Sequence, residues 1–175
     1  MPAPLIRDAD ASDIGAITAI YRPAVATGLA SWEYEPPDEG EMRRRFEAIK
    51  TGGYPYFVAE ADGRVIGYAY ASAYRPRPGY RFTCENSVYV AADVQRSGAG
   101  RALLAALIEA CTRQGFRQMV AVIGDSGNAP SIQLHRVLGF TYCGVIHSIG
   151  WKAGRWIDGV YMQRALGEGD TTPAS

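Results

Sequence analysis

Along the chain the apolar residues change period, and each change marks an element. After a short strand over about 5–7, the residues Ile14, Ile17, Ile20 and Tyr21 keep to one helical face, with Asp10 or Ser12 placed to cap it. Pro23 is expected to end or kink that helix, because it lacks an N–H and crowds the preceding turn. Asp38 caps a second helix in which Met42, Phe46 and Ile49 recur at helical spacing until Gly52-Gly53. Arg43, Arg44 and Arg45 read as its solvated side. Next, YFVAEADGRVIGYAYASAY forms two strand-like runs around Asp62-Gly63, a strong hairpin signal. A strand over about 82–90 puts Val88 and Val90 on one face and Tyr89 on the other. A helix from about Ala99 to Gln114 follows, then the continuously apolar QMVAVI, a strand expected to be buried on both faces. Pro130 suits the first turn of a helix running to Leu138 and stopping at Gly139. Strands over about 140–149 and 157–164 close the chain around the turn GWKAGRW.

This order predicts an α+β fold with one local parallel strand pair. The 175 residues suit one domain, taken as 1–166, with the small, polar stretch 167–175 as a flexible tail. Eighteen basic and eighteen acidic side chains cancel, so a small molecule is expected as partner rather than nucleic acid or an anionic membrane. Cys84, Cys111 and Cys143 are widely spaced, and only His135 and His147 could join them as ligands. No metal site is expected, and each thiol reads as a small, buried apolar residue in a reducing compartment. No stretch reaches membrane-spanning length, and MPAPLIRDADAS turns acidic where a signal peptide would turn apolar, so a cytoplasmic protein is expected.

The stretch VQRSGAGRALL, residues 94–104, carries the chemistry. A helix start offers N–H groups without intrahelical partners and the positive end of the macrodipole, and Gly98 and Gly100 let the backbone approach a ligand closely. Arg96 and Arg101 add charge, so the loop suits a pyrophosphate. A Walker loop would need Lys and Ser or Thr after its last glycine, where Arg101-Ala102 stands. A dinucleotide fingerprint would need a third glycine in an early βαβ unit. A plain glycine turn capping the helix is the remaining alternative.

The run Gln95-Arg96-Ser97-Gly98-Ala99-Gly100 resembles the acetyl-CoA signature of the GCN5-related N-acetyltransferase superfamily. Asn128, Ser131 and Gly139-Phe140 match its second motif. Within it the sequence is most similar to the phosphinothricin and methionine sulfoximine acetyltransferases, through ENSVYV, QGFRQMVAVIGDSGNAPSIQLHRVLGF and GWKAGRWIDGVYMQ. The resemblance implies a GNAT acyl-CoA N-acyltransferase fold: a mixed twisted sheet with a splayed parallel strand pair and about four flanking helices. Acetyl-CoA would lie with its pantetheine between strands 82–90 and 118–123, along Val88, Tyr89 and Val90. Its pyrophosphate would sit on Gln95 to Arg101, with Asn128 and Ser131 also in the cofactor site. A homodimer is implied as well.

Acetyl transfer to an amine needs a neutral nucleophile, charge stabilisation and a proton for the leaving thiolate. Glu85 matches the family's carboxylate on the strand that meets the acetyl group, and its alternative is a surface strand carboxylate. His135 stands where many members carry a tyrosine acid, and base or acid remains open for it, as does simple packing against the sheet. Arg75 and Arg77, held between prolines, could clamp an acceptor's carboxylate or form an ordinary exposed loop. Trp32, with Glu33 beside it, corresponds to the family's pocket aromatic, with a core role as the alternative. Trp151 and Trp156 are expected in the core or in contacts between copies. The implied activity is transfer of acetyl to the α-amine of a small amino-acid analogue such as phosphinothricin or methionine sulfoximine. Another small amine, a protein N-terminus, or an acetyl-CoA-binding module without turnover are the alternatives.

Overall fold

The computed structural model describes residues 3–174. Its elements run β1 (Leu5–Asp8), α1 (Ile14–Ala26), α2 (Glu39–Thr51), β2 (Tyr56–Ala61), β3 (Arg64–Ala73), β4 (Thr83–Val90), α3 (Ala99–Arg113), β5 (Gln118–Gly124), α4 (Ala129–Val137), β6 (Thr141–Lys152) and β7 (Arg155–Ala165). The strands form one mixed sheet in the order β1-β2-β3-β4-β5-β7-β6, in which only β4 and β5 run parallel. This is the expected α+β class.

Strand alternation divides the core in two. Tyr56, Val58 and Tyr68 face the buried stripe of α1 (Ile14, Ile17, Tyr21, Val25) and Met42 and Phe46 of α2. Ala59, Ala69 and Ala71 face the other way, onto Leu103, Leu104, Leu107 and Cys111 of α3. Small residues on that face let the helix sit close to the sheet. Asp10 caps the short 3₁₀ turn ahead of α1, and Asp13 returns a bond to the Asp10 amide. Arg7 forks onto Asp13 through two bonds of 2.8 Å and fastens β1 to the same corner.

Three local expectations need correction. Helix α1 does not stop at Pro23 but runs to Ala26, because Val25 docks in the core. The Pro23 carbonyl then collects the amides of Thr27 and Gly28 and the Thr27 hydroxyl, so the proline costs one bond and not the helix. The turn GWKAGRW shrinks to Ala153-Gly154, whose positive φ values of 52° and 73° make a tight two-residue hairpin. Trp151 and Trp156 therefore pair across β6 and β7, ring centroids 5.4 Å apart, and stand half exposed outside the core, while Lys152 between them turns inward. Third, β5 is not buried on both faces. Met119, Ala121 and Ile123 are in the core, but Val120 and Val122 are half-buried where the sheet opens.

The segment expected as a tail carries bonds of its own. Arg117 donates to the Gly169 and Pro173 carbonyls and to the Thr172 hydroxyl. Of the three thiols expected to be buried, Cys84 and Cys111 are, while Cys143 on the edge strand β6 is exposed. Ser175 lies outside the described residues.

Candidate active site

The parallel pair is short. β4 and β5 pair at Thr83 with Gln118, Cys84 with Met119 and Glu85 with Val120. Beyond that point β4 follows β3 to Val90 and β5 follows β7 to Gly124, so the sheet splits into a V. At its apex the buried Asn86 reaches across, Nδ2 donating to the Val120 carbonyl at 3.1 Å, and replaces with a side chain the ladder bond that the backbone no longer makes. A cavity of about 240 Å³ opens there, lined among others by Glu85, Val88, Val122, Ser131 and His135.

Glu85 is half-buried at the end of the parallel pairing. Burial raises its pKa above the ordinary carboxylate value, with the charge of Arg75 opposing. A carboxylate so perturbed inside a cleft marks a candidate site residue. His135, 4% exposed on α4, lies with Nδ1 2.8 Å from the Ser131 carbonyl and Nε2 3.0 Å from Asn86 Oδ1. Burial holds its pKa below the ordinary histidine value, with the Ser131 carbonyl only partly opposing.

The loop between α1 and α2 forms the facing wall. Trp32 and Glu33 both line the cavity. Trp32 packs so closely on Gly150 of β6 that a Cβ there would stand 2.2 Å from its ring. The Glu33 carboxylate is engaged on the side of α2: Arg45 donates to both its oxygens at 2.7 and 3.0 Å, and Tyr21 Oη to Oε1 at 2.6 Å. These partners hold its pKa below the usual carboxylate range, Arg45 most of all. Arg45 is thus not part of a purely solvated arginine run. From the opposite side the buried Lys152 donates to the Ser31 carbonyl at 2.7 Å, and Tyr34 Oη to the Trp151 carbonyl at 2.7 Å. Two helices and one hairpin therefore fix this wall.

Outside the V, the loop into α3 turns its amides outward. Arg96 and Gly98 have φ of 67° and 89°. Among the described residues the amides of Arg96, Gly98, Gly100 and Arg101 have no acceptor, and only Ser97 and Ala99 of this loop find one. Alternating positive φ with unpaired N–H groups at a helix start makes an anion-binding concavity. The side chains of Arg96 and Arg101 are exposed and unpaired among the described residues, and Gln95 is exposed beside them. On β4, the Ala91 amide donates to Ile66 beside β3, so strand alternation turns the backbone groups of Val88 and Val90 toward the gap. Val88 and Tyr89 line the cavity, as does Asn128, which caps α4 by accepting from the Ser131 amide at 3.3 Å. Arg75 and Arg77 stand exposed on the loop between β3 and β4, outside the cavity lining, with Arg75 over the Tyr74 ring at 5.1 Å.

Sequence reasoning missed Asn86, Arg45, Tyr21 and Lys152. Asn86 sits in ENSVYV beside Glu85; the others act through contacts distant in the chain, for which local pattern holds no signal.

A sheet split between two parallel strands, with unpaired amides at the following helix start, defines an acyl-CoA N-acyltransferase. Residues 5–161 match the acetyltransferase (GNAT) domain model, and the chain belongs to that family and is an N-acetyltransferase. It is 53% identical over 168 residues, 96% of this chain and 84% of the other, to a phosphinothricin N-acetyltransferase of Alcaligenes faecalis. It is 46% identical over 162 residues, 92% of this chain and 94% of the other, to an L-methionine sulfoximine/L-methionine sulfone acetyltransferase of Pseudomonas paraeruginosa. The solved phosphinothricin acetyltransferase of Sinorhizobium meliloti, in complex with AcCoA, superposes with a TM-score of 0.95 at 49% identity, covering 99% of this chain and 94% of that one.

Proposed function

We propose that this enzyme transfers acetyl from acetyl-CoA to the α-amine of a small amino-acid analogue such as phosphinothricin or methionine sulfoximine. The observation that carries the reading is Glu85, a half-buried carboxylate with a raised pKa, at the apex of the V and in a cavity of about 240 Å³ sized for a small acceptor. Relatives bearing those two substrate names support the choice of acceptor.

The residues fit the donor. Four unpaired amides between Arg96 and Arg101, with two free guanidinium groups, suit a diphosphate, and the open edge of β4 at Val88 and Val90 suits the amides of a pantetheine arm. Gln95, Ser97, Ala99 and Tyr89 complete this path, and Asn128 and Ser131 line its inner end. When bound, acetyl-CoA supplies a thioester-activated acetyl group. Glu85 takes the proton that an acceptor amine must lose, a role worth about 10²- to 10⁴-fold in rate. His135 is the second proton-transfer residue. Trp32 and the segment ending at Glu33 form the acceptor wall. Arg75, whose charge is felt at Glu85, and Arg77 meet the acceptor's acidic group. The enzyme works in the cytoplasm as a homodimer, and the exposed apolar side chains of the β6–β7 hairpin, Ile146, Ile149, Trp151 and Trp156, suit the contact with a second copy.

The test is thiol release from acetyl-CoA over a panel of amino acids and analogues. Turnover with phosphinothricin or methionine sulfoximine is expected. Turnover confined to peptide N-termini, or none despite tight binding of coenzyme A, would overturn the reading.

A further inference from the structure

His135 stands between two acceptors. The Ser131 carbonyl offers only lone pairs, so Nδ1, 2.8 Å away, carries a proton. Nε2 lies 3.0 Å from Oδ1 of Asn86. The Asn86 amide is not free to turn round, because its Nδ2 donates to the Val120 carbonyl at 3.1 Å, and a reversed amide would set two oxygens against each other. A neutral imidazole has one N–H and would leave Nε2 facing Oδ1 lone pair to lone pair. A second ring proton gives every atom in the run Ser131, His135, Asn86, Val120 a complementary partner, as buried polar groups require.

We propose that Asn86 is a positioning residue that stabilises the imidazolium form of His135, placing a proton on Nε2 at the floor of the cleft. Burial opposes that charge and outweighs the Ser131 carbonyl, so the His135 pKa lies below the ordinary histidine value; Asn86 Oδ1, 3.0 Å from Nε2, is the second acceptor that works against this lowering. Asn86 of β4, the Ser131 carbonyl of α4 and Phe140, edge-on at 4.9 Å, meet the ring; Glu85 of β4 lines the same cavity, the exposed Arg136 follows on α4, and Arg164 of β7 bonds the Leu138 carbonyl. None of these charged groups contributes to the shift of His135. Asn86 is the neighbour that meets Nε2 directly, at 3.0 Å. The catalytic use of this proton rests on His135 being a proton-transfer residue; its location on the ring does not.

The experiment is an NMR titration of the ring nitrogens in the free protein. His147 is the only other histidine, and its side chain is 79% exposed, so the two signals separate. Replacing the acceptor in Asn86→Leu is expected to lower the His135 titration by about one to two pH units. Asn86→Asp, which keeps the shape and adds charge, is expected to raise it. Should Asn86→Leu not fold, Asn86→Ala, which removes the same acceptor with a smaller side chain, carries the test, and Asn86→Asp serves as the control that the ring responds to this position. A His135 titration unchanged from wild type in a folded variant that lacks the acceptor would overturn the proposal. Because no donor or acceptor is added, a loss of acetyl transfer alone cannot mimic that result.

Discussion

Arg45 of α2 grips Glu33 with both arms of its guanidinium, at 2.7 and 3.0 Å, and so holds a wall of the cleft without touching its interior. A bidentate, charge-assisted pair of this kind is both strong and geometrically selective. Arg45→Met is expected to raise the acceptor KM by about tenfold or more while leaving coenzyme A affinity unchanged. Arg45→Lys is expected to restore little, since one ammonium cannot fork onto two oxygens. Steady-state kinetics against each substrate, with calorimetry for coenzyme A, checks this; equal losses for both substrates would contradict it.

Asp13 is the buried member of the Arg7 pair, and Arg7 above all holds its pKa below the ordinary carboxylate value, against burial. A carboxylate depressed in the folded state contributes stability that is complete above its unfolded pKa and is lost as pH falls through the folded one. Melting temperature should therefore fall as pH drops below about 4. In Asp13→Asn the protein should be less stable by about 1–2 kcal/mol at neutral pH, with a shallower acid fall. Thermal melts of the two proteins across acid pH decide the matter.

Two glycines separate the donor and acceptor sides. A Cβ at Gly150 would strike the Trp32 ring, whereas at Gly98 it would meet nothing within 4 Å and only the positive φ resists it. Gly150→Ala should shift the ranking of acceptors and leave coenzyme A binding intact. Gly98→Ala should weaken coenzyme A by about fivefold, the scale of a 1 kcal/mol backbone cost, and leave the ranking unchanged. Binding titrations and acceptor panels on both variants read the two effects separately.

Much of the fold was legible because local rules suffice where a pattern is short-ranged. Asp62-Gly63, the Asp38 cap and the helix stop at Gly139 all appear where turn chemistry puts them. At Pro23 the helix runs one turn further, to Ala26, because tertiary docking of Val25 outweighs one lost bond. For the tryptophan hairpin, of the two expected places only the core is excluded: bulk alone does not say which of Trp151, Lys152 and Trp156 turns inward, and the Ser31 carbonyl, 121 residues away, receives Lys152. In the site, Glu85 and His135 were named from motif, and the structure brings both to one cleft. Asn86 escaped notice although it adjoins Glu85, because its partners Val120 and His135 lie on β5 and α4.

The central claim is that Glu85 takes the acceptor's proton at the apex of the V. It is tested most directly by the pH dependence of kcat in wild type and Glu85→Gln. Because only the ionised carboxylate can act, and burial raises its pKa, wild-type kcat should fall as pH drops through that raised value. Glu85→Gln should lose about 10²- to 10⁴-fold in kcat and lack that acid limb. A variant that keeps wild-type kcat and the same acid limb would contradict the claim.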